Sequence, residues 1–308
     1  MAGAETEKKD AYLDREAYPV AGRIILITGA SAGVGKEAAR DLALRGATIV
    51  MGNRDLEKSN RVIQALREEE GNDKLPEGRI VVKRLDLADL ESVRTFAEEI
   101  KREYPVIDVL INNAGKMAGP RIVTKDGFES QFQTNHLGHF LLTHLLIDNI
   151  ISSSNKPRII NLSSKAHESA KANFLEDLQC EKSYPSQGFG AYCNTKLMNV
   201  LFTKSLAAKY AGKVNTYAVH PGFVKTELDR SSKISQCVYM LTGFFAKTEK
   251  QGALTTIYCT VSGKTSEETG LYYADSAVKE PTKIAKDPEL AQKLWDASCE
   301  LLNIKWGV

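Results

Sequence analysis

Tyr192 and Lys196 stand four residues apart in a stretch of helical period, which puts a phenol and an ammonium on one helix face. A phenol is neutral at pH 7, with an unperturbed pKa of ~10. A neighbouring cation favours the phenolate, so the pair suits proton exchange with an alcohol or carbonyl near neutral pH. Taken alone, Tyr-x3-Lys is also ordinary helix packing. A second cluster lies upstream: Gly29, Gly33 and Gly35 follow the apolar run Ile24–Thr28, enclose Ser31 and Val34, and precede a helix expected to begin near Lys36. Glycines there let the backbone turn sharply and approach a pyrophosphate, while the free N–H groups of the helix favour an anion. Ser163 and Ser164 end a third apolar run, Arg158–Leu162, where open α/β sheets meet their ligands.

These residues need a scaffold that brings strand ends together. Ile24–Thr28, Ala47–Met51, Arg79–Lys83, Val106–Ile111, Arg158–Leu162, Val214–Val219 and Gly270–Tyr273 read as short buried strands. Helical patterns lie between them at Lys36–Arg45, Leu56–Glu70, Leu90–Glu103, Phe128–Ile151, Tyr192–Tyr210 and Gln251–Val261. Such alternation implies an α/β, Rossmann-type, doubly wound parallel sheet of about seven strands with helices on both faces. After a polar tail at 1–20, residues 21–308 read as one domain. Two segments break the rhythm: the polar Lys165–Gly190 and the stretch 226–250, which carries Val238, Tyr239, Met240, Leu241, Phe244 and Phe245. Long insertions of this kind are functional or mobile.

Composition excludes several classes. The 308 residues carry 41 Lys+Arg against 39 Asp+Glu, a net charge of +2, which gives no global reason to bind nucleic acid or an anionic membrane. Five scattered cysteines without a C-x-x-C pair point to a reducing compartment, and Cys193 reads as a packed thiol. Residues 1–20 lack the apolar stretch of a signal peptide, and no later run reaches ~18 apolar residues. A cytoplasmic protein without a membrane span is therefore expected. His136 and His139 sit at i and i+3 with no carboxylate or cysteine at ligand spacing, so no metal is expected. His220 should order the turn before Pro221.

The spacing from Thr28 to Gly35, T-G-x-x-x-G-x-G, resembles the short-chain dehydrogenase/reductase superfamily. Its further motifs follow in order: Asp86-Leu87, Asn112-Asn113-Ala114-Gly115, Tyr192-Cys193-Asn194-Thr195-Lys196, and Pro221-Gly222 with Thr226. The resemblance implies that Asp86, with Leu87, binds the adenine amino group and that Asn113-Ala114-Gly115 packs on the adenosine half. Pro221-Gly222-Phe223-Val224 with Thr226 would hold the nicotinamide carboxamide. It makes Tyr192 the acid/base, with Lys196 also on the nicotinamide ribose. Ser164, with Ser163 as fallback, would bond the substrate oxygen, and Asn135 would kink a central helix and hold a water beside the lysine. Central helices pair in this family, which suggests a homodimer.

Cofactor choice turns on the end of the second strand, where a carboxylate suits a 2′-hydroxyl and a cation a 2′-phosphate. Asn53 and Arg54 stand there, so NADP(H) is expected over NAD(H), with Lys36 a candidate second cation and Asp55 the N-cap of the next helix. The long Ser–Tyr insertion, Thr134–Phe140, His220-Pro221-Gly222 and Lys247-Thr248-x-x-Gln251-Gly252-Ala253 resemble the retinol dehydrogenase branch. The implied activity interconverts a carbonyl and an alcohol on a lipophilic substrate: a retinoid, a steroid or another apolar aldehyde or ketone. Many enzymes of that branch carry an N-terminal membrane anchor, which this sequence is expected to lack. Val238–Phe245, with Tyr239 and Phe244 as substrate contacts, suits a lid over an apolar site, a peripheral membrane contact or an ordinary core helix. The rival from another class is a non-catalytic NADP(H)-binding scaffold, and steroid or quinone reduction is a rival within the class.

Overall fold

The computed structural model describes residues 11–224 and 246–306. Strands β1 (Ile24–Thr28), β2 (Thr48–Asn53), β3 (Ile80–Arg84), β4 (Val109–Asn112), β5 (Arg158–Leu162), β6 (Asn215–His220), β7 (Leu271–Ala274) and β8 (Ala277–Lys279) form one sheet in the order β3-β2-β1-β4-β5-β6-β7-β8. All neighbours are parallel except β7 and β8. Seven strands match the expected runs within a few residues. The eighth, which sequence reading missed, returns through Asp275 and Ser276, whose φ of +53° and +55° make the two-residue hairpin turn.

Helices α1 (Gly33–Leu44), α2 (Leu56–Glu70) and α6 (Glu249–Val261) cover one face. Helices α3 (Leu90–Glu103), α4 (Gly138–Ile151), α5 (Phe189–Lys209) and α7 (Pro288–Leu301) cover the other. Strand residues alternate between the two cores: Ile25 and Ile27 enter one, Leu26 the other, and all three are buried. Helix starts follow local chemistry. Asp55 caps α2 by accepting from Lys58 N–H, and Asp89 caps α3 by accepting from Glu91 and Ser92 N–H.

Four expectations are corrected. Helix α1 begins at Gly33 rather than near Lys36, because the glycines form its first turn. The helical stretch expected over Phe128–Ile151 opens with Ser130–Phe132 and a π turn, Gln133–Leu137, before α4. Helix α7 was not expected, although Asp287 caps it and Pro288 occupies its first turn. Within the polar tail, Tyr12 and Val20 are buried, and the Tyr12 hydroxyl bonds Ser276 Oγ at 2.8 Å.

The insertion Lys165–Gly190 is built of 3₁₀ turns and pinned in place. Gln131 Nε2 donates to Tyr184 Oη (2.8 Å) and Gly188 O (3.0 Å), Tyr184 donates to the buried Glu129 carboxylate, and Phe174 enters the core.

Candidate active site

Strand order reverses at β1, which pairs with both β2 and β4, and the crevice at the carboxyl ends of those strands receives the glycine turn. Gly29 and Gly33 have φ of +68° and +60°. A Cβ on Gly29 would lie 2.8 Å from Ala114 Cα, and one on Gly35 would lie 2.7 Å from Gly29 O and collide with Asn113 Nδ2. Only glycine permits these approaches. Asn113 Nδ2 donates to Thr28 O (2.8 Å) and Gly29 O (3.1 Å), joining the β4 loop to the turn. The first turn of α1 has no side-chain cap and no acidic residue, so its N–H groups suit an anion. Ser31 is half-buried there and Val34 buried. The cradle fits the diphosphate of a nicotinamide dinucleotide.

At the end of β2, Asn53 is buried, accepting from Ala30 N–H (2.9 Å) and donating to Ser59 Oγ (3.0 Å). Its amide thus braces the glycine turn. The Arg54 side chain is exposed. Lys36, the candidate second cation, is paired with Glu249 (3.0 Å) and Glu37 (3.3 Å); against the opposing effect of its partial burial, these carboxylates raise its pKa. Asp86 is half-buried and accepts from Ala88 N–H at 3.0 Å, and Leu87 packs where a Cβ on Gly138 would collide.

Helix α5 carries Tyr192 and Lys196, both buried, with the ammonium 5.4 Å from the phenol ring centroid. Lys196 Nζ donates to Leu162 O (3.0 Å), and burial lowers its pKa to about 8. The two serines at the end of β5 separate. Ser163 is buried with its hydroxyl donating to Lys196 O (2.8 Å), whereas Ser164 is half-buried and accepts from Ala166 N–H (3.2 Å), which leaves its own O–H as a donor. Asn135 sits in the π turn, fully buried. Its Oδ1 accepts from Lys116 N–H (2.7 Å), and its Nδ2 donates to Lys116 O (2.9 Å) and Thr195 Oγ1 (3.0 Å). A Cβ on Gly115 would lie 3.6 Å from both Asn135 Oδ1 and Lys196 Nζ, so these three positions meet.

After β6, Gly222 has φ +89° and N–H donating to His220 Nδ1 (3.3 Å), and a Cβ on it would strike the Lys247 side chain. His220 thus orders the turn beside Pro221; burial pushes it down to about 4, so it is neutral. Val224 pairs with Lys247. Thr226, Tyr239 and Phe244 lie outside the described residues. Burial raises Cys193 to about 11, which keeps the thiol protonated. Among the described residues no group of histidine, cysteine and carboxylate could hold a metal ion. No helix there is long and apolar enough to cross a membrane. A groove of about 370 Å³ along β3, lined by Ile63, Leu75 and Ile80, contains none of these site residues.

Sequence reading missed two contributors. Gly252 of α6 lets that helix touch both Val224 and Val34, drawing the ends of the site together, and its Q-G-A setting was a signal without a geometric meaning. Phe189, 40% exposed, stacks beside Tyr192 with ring centroids 6.1 Å apart. Its place three residues before the tyrosine was the available clue.

A short chain dehydrogenase family model matches residues 23–175. Human retinol dehydrogenase 12 is 43% identical over 286 residues, covering 92% of this chain and 88% of that protein. Human retinol dehydrogenase 13 is 38% identical over 317 residues, covering 99% and 93%. Among solved structures, an uncharacterised protein of Mycobacterium paratuberculosis superposes with TM-score 0.74 at 31% identity, covering 96% of this chain and 98% of that one. A short chain dehydrogenase of Shigella flexneri, solved with NADP, superposes with TM-score 0.64 at 23% identity, covering 83% and 98%. Identity of this order over nearly the whole length, on a matching sheet and motif order, establishes that the chain belongs to the short-chain dehydrogenase/reductase superfamily, in its retinol dehydrogenase-like branch.

Proposed function

We propose that this oxidoreductase interconverts a carbonyl and an alcohol on a lipophilic substrate, a retinoid first among them, with NADP(H) and with Tyr192 as acid/base. The observation that carries the proposal is the buried ammonium of Lys196 beside the Tyr192 ring, on a helix reached by Asn135 and the end of β5. When bound, the nicotinamide supplies or accepts a hydride. In the reducing direction Tyr192 gives its phenolic proton to the substrate oxygen, and Lys196, charged below about pH 8, stabilises the phenolate left behind. Ser164 donates to the same oxygen. Ser163 is spent on Lys196 O and serves the scaffold.

Preference for NADP(H) rests on Arg54, an exposed cation at the end of β2 where a carboxylate would favour the 2′-hydroxyl. The NADP bound by the Shigella flexneri relative is in keeping with this. The retinoid reading rests on relatives named retinol dehydrogenases, and exposed Phe189 and Phe223 near the site suit an apolar substrate. The test is NADPH oxidation with a panel of retinals, steroids, quinones and aliphatic aldehydes. Turnover of all-trans-retinal above the small aldehydes is expected. Turnover confined to steroids or quinones would replace the substrate, and turnover of none would favour the non-catalytic scaffold.

A further inference from the structure

His139 lies two residues into α4, is buried, and touches both halves of the site. Its Nε2 is 2.8 Å from Thr28 Oγ1 at the end of β1, and its Nδ1 is 3.3 Å from the backbone carbonyl of Asn135 in the π turn. The proton's place follows from counting. Thr28 Oγ1 already accepts from the N–H groups of Asn113 (3.0 Å) and Ala114 (3.0 Å), which fills both lone pairs of the hydroxyl. Its single O–H must then be donated, and the acceptor in reach is His139 Nε2. The imidazole proton therefore sits on Nδ1, where it is donated to Asn135 O. Burial drives the ring pKa down to about 3, so it stays neutral in this tautomer.

The chain of donors continues. Asn135 Nδ2 donates to Thr195 Oγ1 (3.0 Å), and Thr195 Oγ1 donates to Tyr192 O (2.8 Å). The orientation of the Asn135 amide is settled independently by the backbone N–H and carbonyl of Lys116. The π turn holds this arrangement, with Gly138 N–H bonded back to Gln133 O.

We infer that His139 is a positioning residue that couples the cofactor turn to the Tyr192 helix, through one bond to Thr28 and a second to the π-turn carbonyl of Asn135. The inference rests on the proposed function for its kinetic part only. Thr28 anchors the Asn113–Ala114 loop and thus the cofactor side; Asn135 and Thr195 anchor the backbone at Tyr192 and thus the proton-transfer side.

Two substitutions separate the two bonds. In His139→Asn the amide reaches the Nδ1 position and can still donate to Asn135 O, but the acceptor for Thr28 is gone. In His139→Gln the amide reaches the Nε2 position and can still accept from Thr28, but the donor to Asn135 O is gone. The full-length protein is measured three ways: cofactor Kd by NADPH fluorescence titration, kcat at saturating NADPH with all-trans-retinal, and Tm. Loss of one hydrogen bond is worth about tenfold. His139→Asn should weaken NADPH about tenfold with kcat held, and His139→Gln should lower kcat about tenfold with the Kd held. A residue of purely structural importance would lower Tm in both variants without this split. Equal Kd values in the two variants, or equal losses of kcat, would overturn the inference. Should the wild-type protein turn over no substrate, the functional reading fails, and the Kd comparison alone still decides the bond to Thr28.

Discussion

The glycine turn after β1 and Lys196 of α5 approach the same loop, at Ala114 and at Gly115, but the two regions are specified by different physics. At the turn the limiting quantity is space: a single added carbon on Gly29 or Gly35 would meet Ala114 or the Gly29 carbonyl inside 3 Å. At α5 the limiting quantity is charge: Lys196 is buried with its ammonium on the Leu162 carbonyl oxygen, and its pKa is lowered accordingly. The turn should therefore fail when atoms are added, and α5 when a single polar atom is removed.

The largest effect expected is from Tyr192→Phe, which deletes one oxygen. General acid–base catalysis contributes ~10²–10⁴-fold, so kcat should fall by at least ~100-fold while NADPH affinity is retained. Steady-state kinetics and fluorescence titration check both; more than a few per cent residual activity would sink the acid/base assignment. Next comes Arg54→Ala, which should weaken NADPH by ~10- to 150-fold, the worth of a charged hydrogen bond, and leave NADH nearly unchanged. Equal losses would make Arg54 structural.

Gly35→Ala probes the steric side. Overpacking costs ~1–3 kcal/mol, which should appear as weaker NADPH binding together with a lower Tm. Gly263→Ala is the control, since an added Cβ there meets nothing within 4 Å. A Gly35→Ala protein with unaltered affinity would erase the contrast drawn between the two regions.

The subtlest prediction concerns pH. Lys196 has a folded pKa of about 8, below the ordinary 10.5, so between those values the unfolded chain holds a proton that the folded one has released. Stability should rise with pH across that window, and the cost of the buried ammonium should be fully present below about pH 8. Urea unfolding at pH 7 and pH 10 should show wild type gaining on Lys196→Met as pH rises. A difference independent of pH would mean that the ammonium is not held against desolvation.

Much of this was readable from local sequence because the requirements are local. Gly29-x3-Gly33-x-Gly35 follows a β-branched strand, Tyr192 and Lys196 share a helical face, and Asp55 caps the helix it precedes. Other features had no local signature. Lys36 reads as a cation near the phosphate turn, yet it pairs with Glu249 from α6. His136 and His139 read as two histidines at helical spacing without a metal to bind, and only the fold sets one against Ser298 and the other against Thr28. The Ser–Tyr insertion reads as a polar loop, while the structure clamps it through Gln131 and Glu129.

The sequence by itself determined the parallel α/β sheet, the place of the glycine turn and the pairing of Tyr192 with Lys196, because strand alternation, glycine spacing and helical period act within a few residues. Only tertiary structure tied the Ser163 hydroxyl to Lys196 O, turned Asn53 into a brace, and set His139 between Thr28 and the π turn. Each of those outcomes depends on which buried group lies within about 3 Å of which other, a relation between residues far apart in the chain that hydrogen-bond satisfaction in a dry core enforces.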